Sequence, residues 1–115
     1  MANSITANYW LSRRKVKVVS LTTTYTVEAD DTLILAATAG GAFTATLPAA
    51  SSVKPGHVKE FKKTDSSAND FTVARAGSDT IDGATSKVLG AQYDVLRIVS
   101  DGSSKWYVLN ATLNA

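Results

Sequence analysis

From residue 15 onward the chain is a succession of short apolar–polar alternations broken by Gly, Pro and Asp, the pattern of β-strands joined by tight turns. Val16 and Val18 alternate with Lys15 and Lys17, and the run continues through Val19-Ser20-Leu21 into three threonines, which predicts a first strand. Tyr25-Thr26-Val27 predicts a second, stopped at Asp30-Asp31. Thr32 to Ala36 is apolar at both parities, the signature of a central strand covered on both faces. Gly40-Gly41 then predicts a hairpin turn into Phe43–Leu47, because paired glycines reach the positive φ that such turns require. In that second arm Phe43, Ala45 and Leu47 point one way and Thr44 and Thr46 the other.

Pro48 ends the strand, since it has no N–H for a ladder, and Pro55-Gly56 suits the central positions of a type II turn. His57–Lys63 predicts the next strand, with its register open because Val58 and Phe61 fall on opposite faces. Asp65–Asp70 is a loop by composition, Phe71–Arg75 alternates again, and Asp79–Gly83 predicts a bend. A second hairpin is predicted where Tyr93–Val99 and Trp106–Leu109 flank an Asp101-Gly102 turn. Ala49–Lys54 allows one helical turn at most. Residues 1–12 follow neither period and read as an extended arm holding one apolar cluster, Tyr9-Trp10-Leu11. The expected fold is all-β, a small antiparallel β-sandwich or barrel-like knob over 18–115, preceded by a docking arm over 1–17.

Composition sharpens this picture in two ways. A 115-residue chain rich in Ala, Thr, Ser and Val, with only two Trp, three Phe and one Met, has a thin core and gains from associating with copies of itself. Charge is also unevenly placed: Arg13, Arg14, Lys15 and Lys17 precede any acidic residue, while the remaining eight Lys/Arg face ten Asp/Glu. A front segment of +4 on a body of −2 suggests an arm that docks on something acidic. The apolar Tyr9, Trp10 and Leu11 would anchor it in a partner's groove, or fold back on their own core, and the neighbouring cations would supply charge complementarity. The absence of cysteine removes disulfides and thiolate metal sites. Met1–Thr6 is not a secretory leader, and the apolar run Leu33–Ala37 is far short of the ~20 residues of a membrane-spanning helix, so no membrane partner is expected.

Candidate chemistry is sparse. Asp30-Asp31 and the Asp79/Asp82 pair are the only carboxylate groupings suited to acid–base work or calcium, and their spacing lacks a full oxygen ligand series. They read better as turn formers. His57 is the sole histidine and has no partner for zinc; no serine sits in a nucleophile elbow, and the glycines follow no phosphate-binding spacing. No catalytic residue, metal or cofactor is expected. Nucleic-acid binding competes, through Arg13, Arg14, Lys15 and Lys17 beside Tyr9 and Trp10, joined by Lys59, Lys62 and Lys63. Against it stand the acidic body and the simpler use of Lys59, Lys62 and Lys63 as the solvated face of an edge strand.

The order of segments over Thr22–Leu109 carries a resemblance: Asp31 before Leu33-Ile34-Leu35, Gly41 before Phe43-Thr44-Ala45-Thr46-Leu47-Pro48, Pro55-Gly56-His57, Lys62-Lys63-Thr64-Asp65-Ser66-Ser67-Ala68-Asn69, Asp79-Thr80-Ile81-Asp82-Gly83 and Ser100-Asp101-Gly102-Ser103-Ser104-Lys105-Trp106-Tyr107-Val108. Together they resemble a β-rich module of virion proteins of tailed bacteriophages, found in tail fibres and on the outside of heads. The resemblance implies a homotrimeric, non-enzymatic virion component. With about twenty residues ahead of the module, a capsid decoration (cement) protein is expected, bound to the major capsid protein on the outer surface of the shell and not to nucleic acid. The alternative is a tail-fibre tip that holds a host receptor through loops such as Asp65–Asp70 and Ser100–Lys105.

Overall fold

The computed structural model describes residues 16–113, so the expected arm, apart from its last two residues, lies outside the described residues. As the alternation demands, the body is all-β and built of two packed sheets. Its strands are β1 (Val18–Leu21), β2 (Tyr25–Thr26), β3 (Leu33–Ala36), β4 (Phe43–Thr46), β5 (Val58–Lys63), β6 (Phe71–Ala74), β7 (Thr80–Ile81), β8 (Ser86–Leu89), β9 (Val95–Ser100) and β10 (Lys105–Thr112). Among the described residues one 3-10 turn, Ala50–Ser52, follows Pro48.

The connectivity differs from the expected antiparallel one. Strands β1, β3 and β5 lie side by side and parallel in one sheet, and β2, β4 and β6 do the same in the other. The chain therefore winds as three coils of a short solenoid, each coil giving one strand to each sheet. The last third then closes it. β8 pairs antiparallel with β6, β9 pairs antiparallel with β5, β10 returns along β9, and β7 adds a short parallel stretch on β10. The six-stranded sheet runs β1-β3-β5-β9-β10-β7 and the four-stranded sheet β2-β4-β6-β8.

Gly40-Gly41 is thus a turn but not a hairpin. Both hydrogen-bonding edges of β3 are occupied by β1 and β5, so the chain beyond Ala36 crosses to the other sheet. Gly41, at φ +142°, helps make that corner. The ladder continues around it, since Ala37 N–H donates to Leu21 O and Thr64 N–H to Ala36 O. The β9–β10 hairpin forms as expected, and Asp101 closes its turn by accepting the N–H groups of Ser103, Ser104 and Lys105. Gly102 is obligatory there. Its φ is +78°, and a Cβ would meet Pro55 Cγ at 2.5 Å.

Between the sheets lie Ile34, Phe61, Leu96, Ile98 and Trp106 from one side and Phe43, Ala45, Phe71, Val73 and Leu89 from the other, all buried. Phe71 is the hub, with ring centroids 5.4 Å from Phe43 and 6.3 Å from Phe61. Trp106 is wholly enclosed and belongs to this core. In β1 it is Val19 and Leu21 that turn toward this core, while Val16 and Val18 face out, each 52% exposed.

A correction concerns the lysines of β5. This strand is central, and Lys59, Phe61 and Lys63 share its inward face; both lysines are fully buried and neither belongs to a solvated edge. Each ends in a cage of carbonyls. Lys59 Nζ donates to Glu28 O, Ala29 O and Asp31 O, and Lys63 Nζ to Asp65 O and Ser67 O, with the Asp65 carboxylate 3.1 Å away. The carbonyls of two corners, left without ladder partners, are thereby satisfied from inside.

His57 shares the first cage, with Nε2 3.1 Å from Lys59 Nζ. Burial, and then the Lys59 charge, hold its pKa below 6.5. As pH falls through about 6.5 the unfolded chain takes up a proton that the folded one resists, so stability is lost with falling pH until the folded pKa is reached. Urea midpoints measured between pH 8 and pH 5, a range chosen to span ~6.5, should fall for the wild type and fall less for His57→Gln.

Candidate docking site

The site expected from charge and anchor residues comprises Tyr9, Trp10, Leu11, Arg13, Arg14, Lys15 and Lys17. All but Lys17 lie outside the described residues. What the structure gives is the point at which that segment joins the body. Lys17 O accepts the N–H groups of Thr32 and Leu33, which holds the backbone just before β1 against the second coil. Its ammonium reaches across to the turn before β3, 2.9 Å from Glu28 Oε1, 3.2 Å from Asp30 Oδ1 and 3.1 Å from Asp31 Oδ1.

Asp31 is the pivot of this cluster. Its side chain is fully buried, and Oδ2 accepts the Tyr25 hydroxyl and the Glu28 N–H, each at 2.8 Å. Burial opposes its ionisation, but the Glu28 N–H, the Tyr25 hydroxyl and Lys17 outweigh it and hold the carboxyl below its ordinary range. The same hydrogen bond to Asp31 pushes the Tyr25 hydroxyl up to about 12. Hydrogen bonds to Glu28, Asp31 and Asp30 hold the Lys17 ammonium well above the ordinary lysine range. Glu28, Asp30 and Asp31 bring three carboxylates close enough to hold a metal ion, and the Lys17 ammonium stands at all three. The charge of Lys17 is therefore spent on its own chain. Within the front segment Arg13, Arg14 and Lys15 supply the remaining cations.

The other sequence candidates resolve into backbone support. Asp79 accepts the Ala50 N–H at the start of the 3-10 turn, and Asp82 accepts the Val108 N–H beside a bulge in β10. Asp82 and Gly83, both at positive φ, form the tight turn that joins Ile81 to Ala84. The Asp65–Asp70 loop is likewise turned inward. Asp65 accepts the N–H groups of Thr38 and Ser67, and the buried Thr38 hydroxyl lies 2.7 Å from Asn69 O. The Ser67 hydroxyl, with Thr38 N–H and Lys63, holds the Asp65 carboxyl well below the usual range despite the cost of burial. With Lys59 and Lys63 enclosed, the basic surface considered for nucleic acid keeps only Lys62 of that trio, and Lys62 lies over the Tyr93 ring at 5.3 Å.

No family model matches the chain, and no curated protein matches it either.

Proposed function

We propose that this chain is a non-enzymatic structural protein of a bacteriophage virion, a capsid decoration protein whose front segment binds the major capsid protein on the outer surface of the shell. The observation that carries this reading is the clamp at Lys17. It fixes Lys17 to a net acidic body at the edge of a sheet, and in sequence Arg13, Arg14, Lys15 and the Tyr9-Trp10-Leu11 cluster come just before it. Several copies joined as one knob would present several such segments, which raises avidity through effective concentration. Binding only to the assembled shell then stabilises that shell by linkage. The fibre-tip alternative draws less support, because the Asp65–Asp70 loop and the Asp101 turn spend their polar groups on their own backbone.

Deleting residues 1–14 should abolish attachment to capsids in a co-sedimentation assay while leaving the melting temperature of the body within a few degrees of wild type. Attachment that survives the deletion would refute the reading. Copy number per virion, measured by mass spectrometry against the major capsid protein, separates hundreds of copies on a head from a handful in a fibre.

A further inference from the structure

The two outer faces of this sandwich differ in chemistry. Following the cross-strand registers, the outer face of the four-stranded sheet carries Thr26, Thr44, Thr46, Thr72 and Ser86, side chains at ease in water, interrupted by Ala74 and Val88. The outer face of the six-stranded sheet carries seven apolar side chains, Val18, Leu33, Leu35, Val58, Val95, Val99 and Tyr107, set among the polar Ser20, Lys62, Lys105, Asn110 and Thr112. None of these seven is buried, although Leu33 and Leu35 belong to a strand whose composition calls for cover on both sides. At the centre of the same face Glu60 on β5 and Arg97 on β9 are register partners. Their contact is loose, 3.9 Å, and Arg97 Nε is shut off from solvent without a hydrogen bond to any described residue. Beside them β10 outruns its two-residue neighbour β7, so its outer edge beyond Trp106 has no strand partner among the described residues.

We propose that this face is where copies of the chain meet. A second copy is the occupant the charges select. Opposite charges flank the midline between β5 and β9, so any closed arrangement that sets the β5 side of one copy against the β9 side of the next brings Glu60 to Arg97 across the interface. The exposed part of the Arg97 side chain then gains a carboxylate from the neighbouring copy, while Val58, Val95, Val99, Leu33 and Leu35 are taken out of water around it. The assignment rests on the knob reading above and gives that knob its contact surface.

The test is sedimentation velocity of the purified full chain, without capsids, at tens of micromolar. The wild type should sediment as an oligomer. Val99→Asp and Leu35→Asp should each reduce it to the 12.1 kDa monomer with an unchanged far-ultraviolet dichroism spectrum, since both positions point away from the core. Thr44→Asp, on the opposite face, should leave the oligomer intact. Glu60→Arg or Arg97→Glu alone should weaken association by about tenfold or more, and the double exchange should restore it. These two side chains are 43% exposed, so the exchange remains decisive should an aspartate variant misfold. A monomeric wild type, or an oligomer indifferent to both the aspartates and the charge exchange, overturns the proposal. A monomer that still binds capsids refutes this interface and spares the decoration reading; an oligomer that binds none does the reverse.

Discussion

Lys63→Met should lower the free energy of unfolding by about 3 kcal/mol, a large share of the roughly 5–15 kcal/mol expected of a domain this size. Methionine retains the stem and its packing beside Phe61 but removes the ammonium. Asp65 O and Ser67 O then lose their donor, and the Asp65 carboxylate, only 15% exposed, loses its countercharge. Breaking such a pair from one side costs more than the pair contributes, because the partner stays desolvated. Urea unfolding measures the loss. Adding Asp65→Asn to Lys63→Met should recover part of it, since a neutral amide needs no countercharge. Full stability in the single variant would mean that water reaches the corner and the cage is dispensable.

Lys59→Met should cost about 2–3 kcal/mol by the same logic: Ala29 O and Asp31 O lose the ammonium, Glu28 O keeps only the Asp31 N–H, and no carboxylate is in direct contact. Lys59 also carries a pH signature. Burial lowers the Lys59 ammonium from 10.5 to about 8, with Asp31 and Asp30 opposing the shift. Between about pH 8 and 10.5 the unfolded chain therefore holds a proton that the folded chain has released, and stability rises with pH across that window. Below it both states are protonated and this contribution is flat. The methionine variant should lack the rise. Midpoints that run parallel for wild type and variant from pH 8 to 10.5 would count against a depressed Lys59.

Those two lysines show where the residue pattern was legible and where it was not. Lys59, Phe61 and Lys63 stand at alternate positions, so the period-2 rule placed them on one face with a buried phenylalanine. The misreading came from treating lysine as a surface marker when its long stem can cross a core and end on carbonyls at the rim. Local turn chemistry was legible: Pro55-Gly56 turns with Gly56 at φ +89°, and Asp101-Gly102 makes a hairpin. Which strands those turns join was less so. Nothing between Ala37 and Ala42 distinguishes a hairpin from a corner, because the distinction lies in whether the edge of β3 is already taken by strands before and after it in sequence. Strand β8 carries too few apolar residues, Val88 and Leu89, to register as a strand by alternation. At the candidate docking site, Lys17 was legible as one of a run of cations. Its three carboxylate partners were not, since they come beside it only when the second coil stacks on the first.

Winding the chain as a solenoid also governs when its pieces can form. Val18 must wait for Leu33, Leu33 for Glu60 and Phe43 for Phe71, so no ladder in the coils closes locally and loop-closure entropy is met before any reward. The second edge of β5 waits longest, because its partner β9 spans Val95–Ser100. During synthesis the three coils thus emerge with an open edge on β5, the kind that recruits other strands, and residues 95–100 must leave the ribosome before that edge is sealed. Slow refolding and loss to aggregation at high concentration follow from topology alone, whatever the final stability.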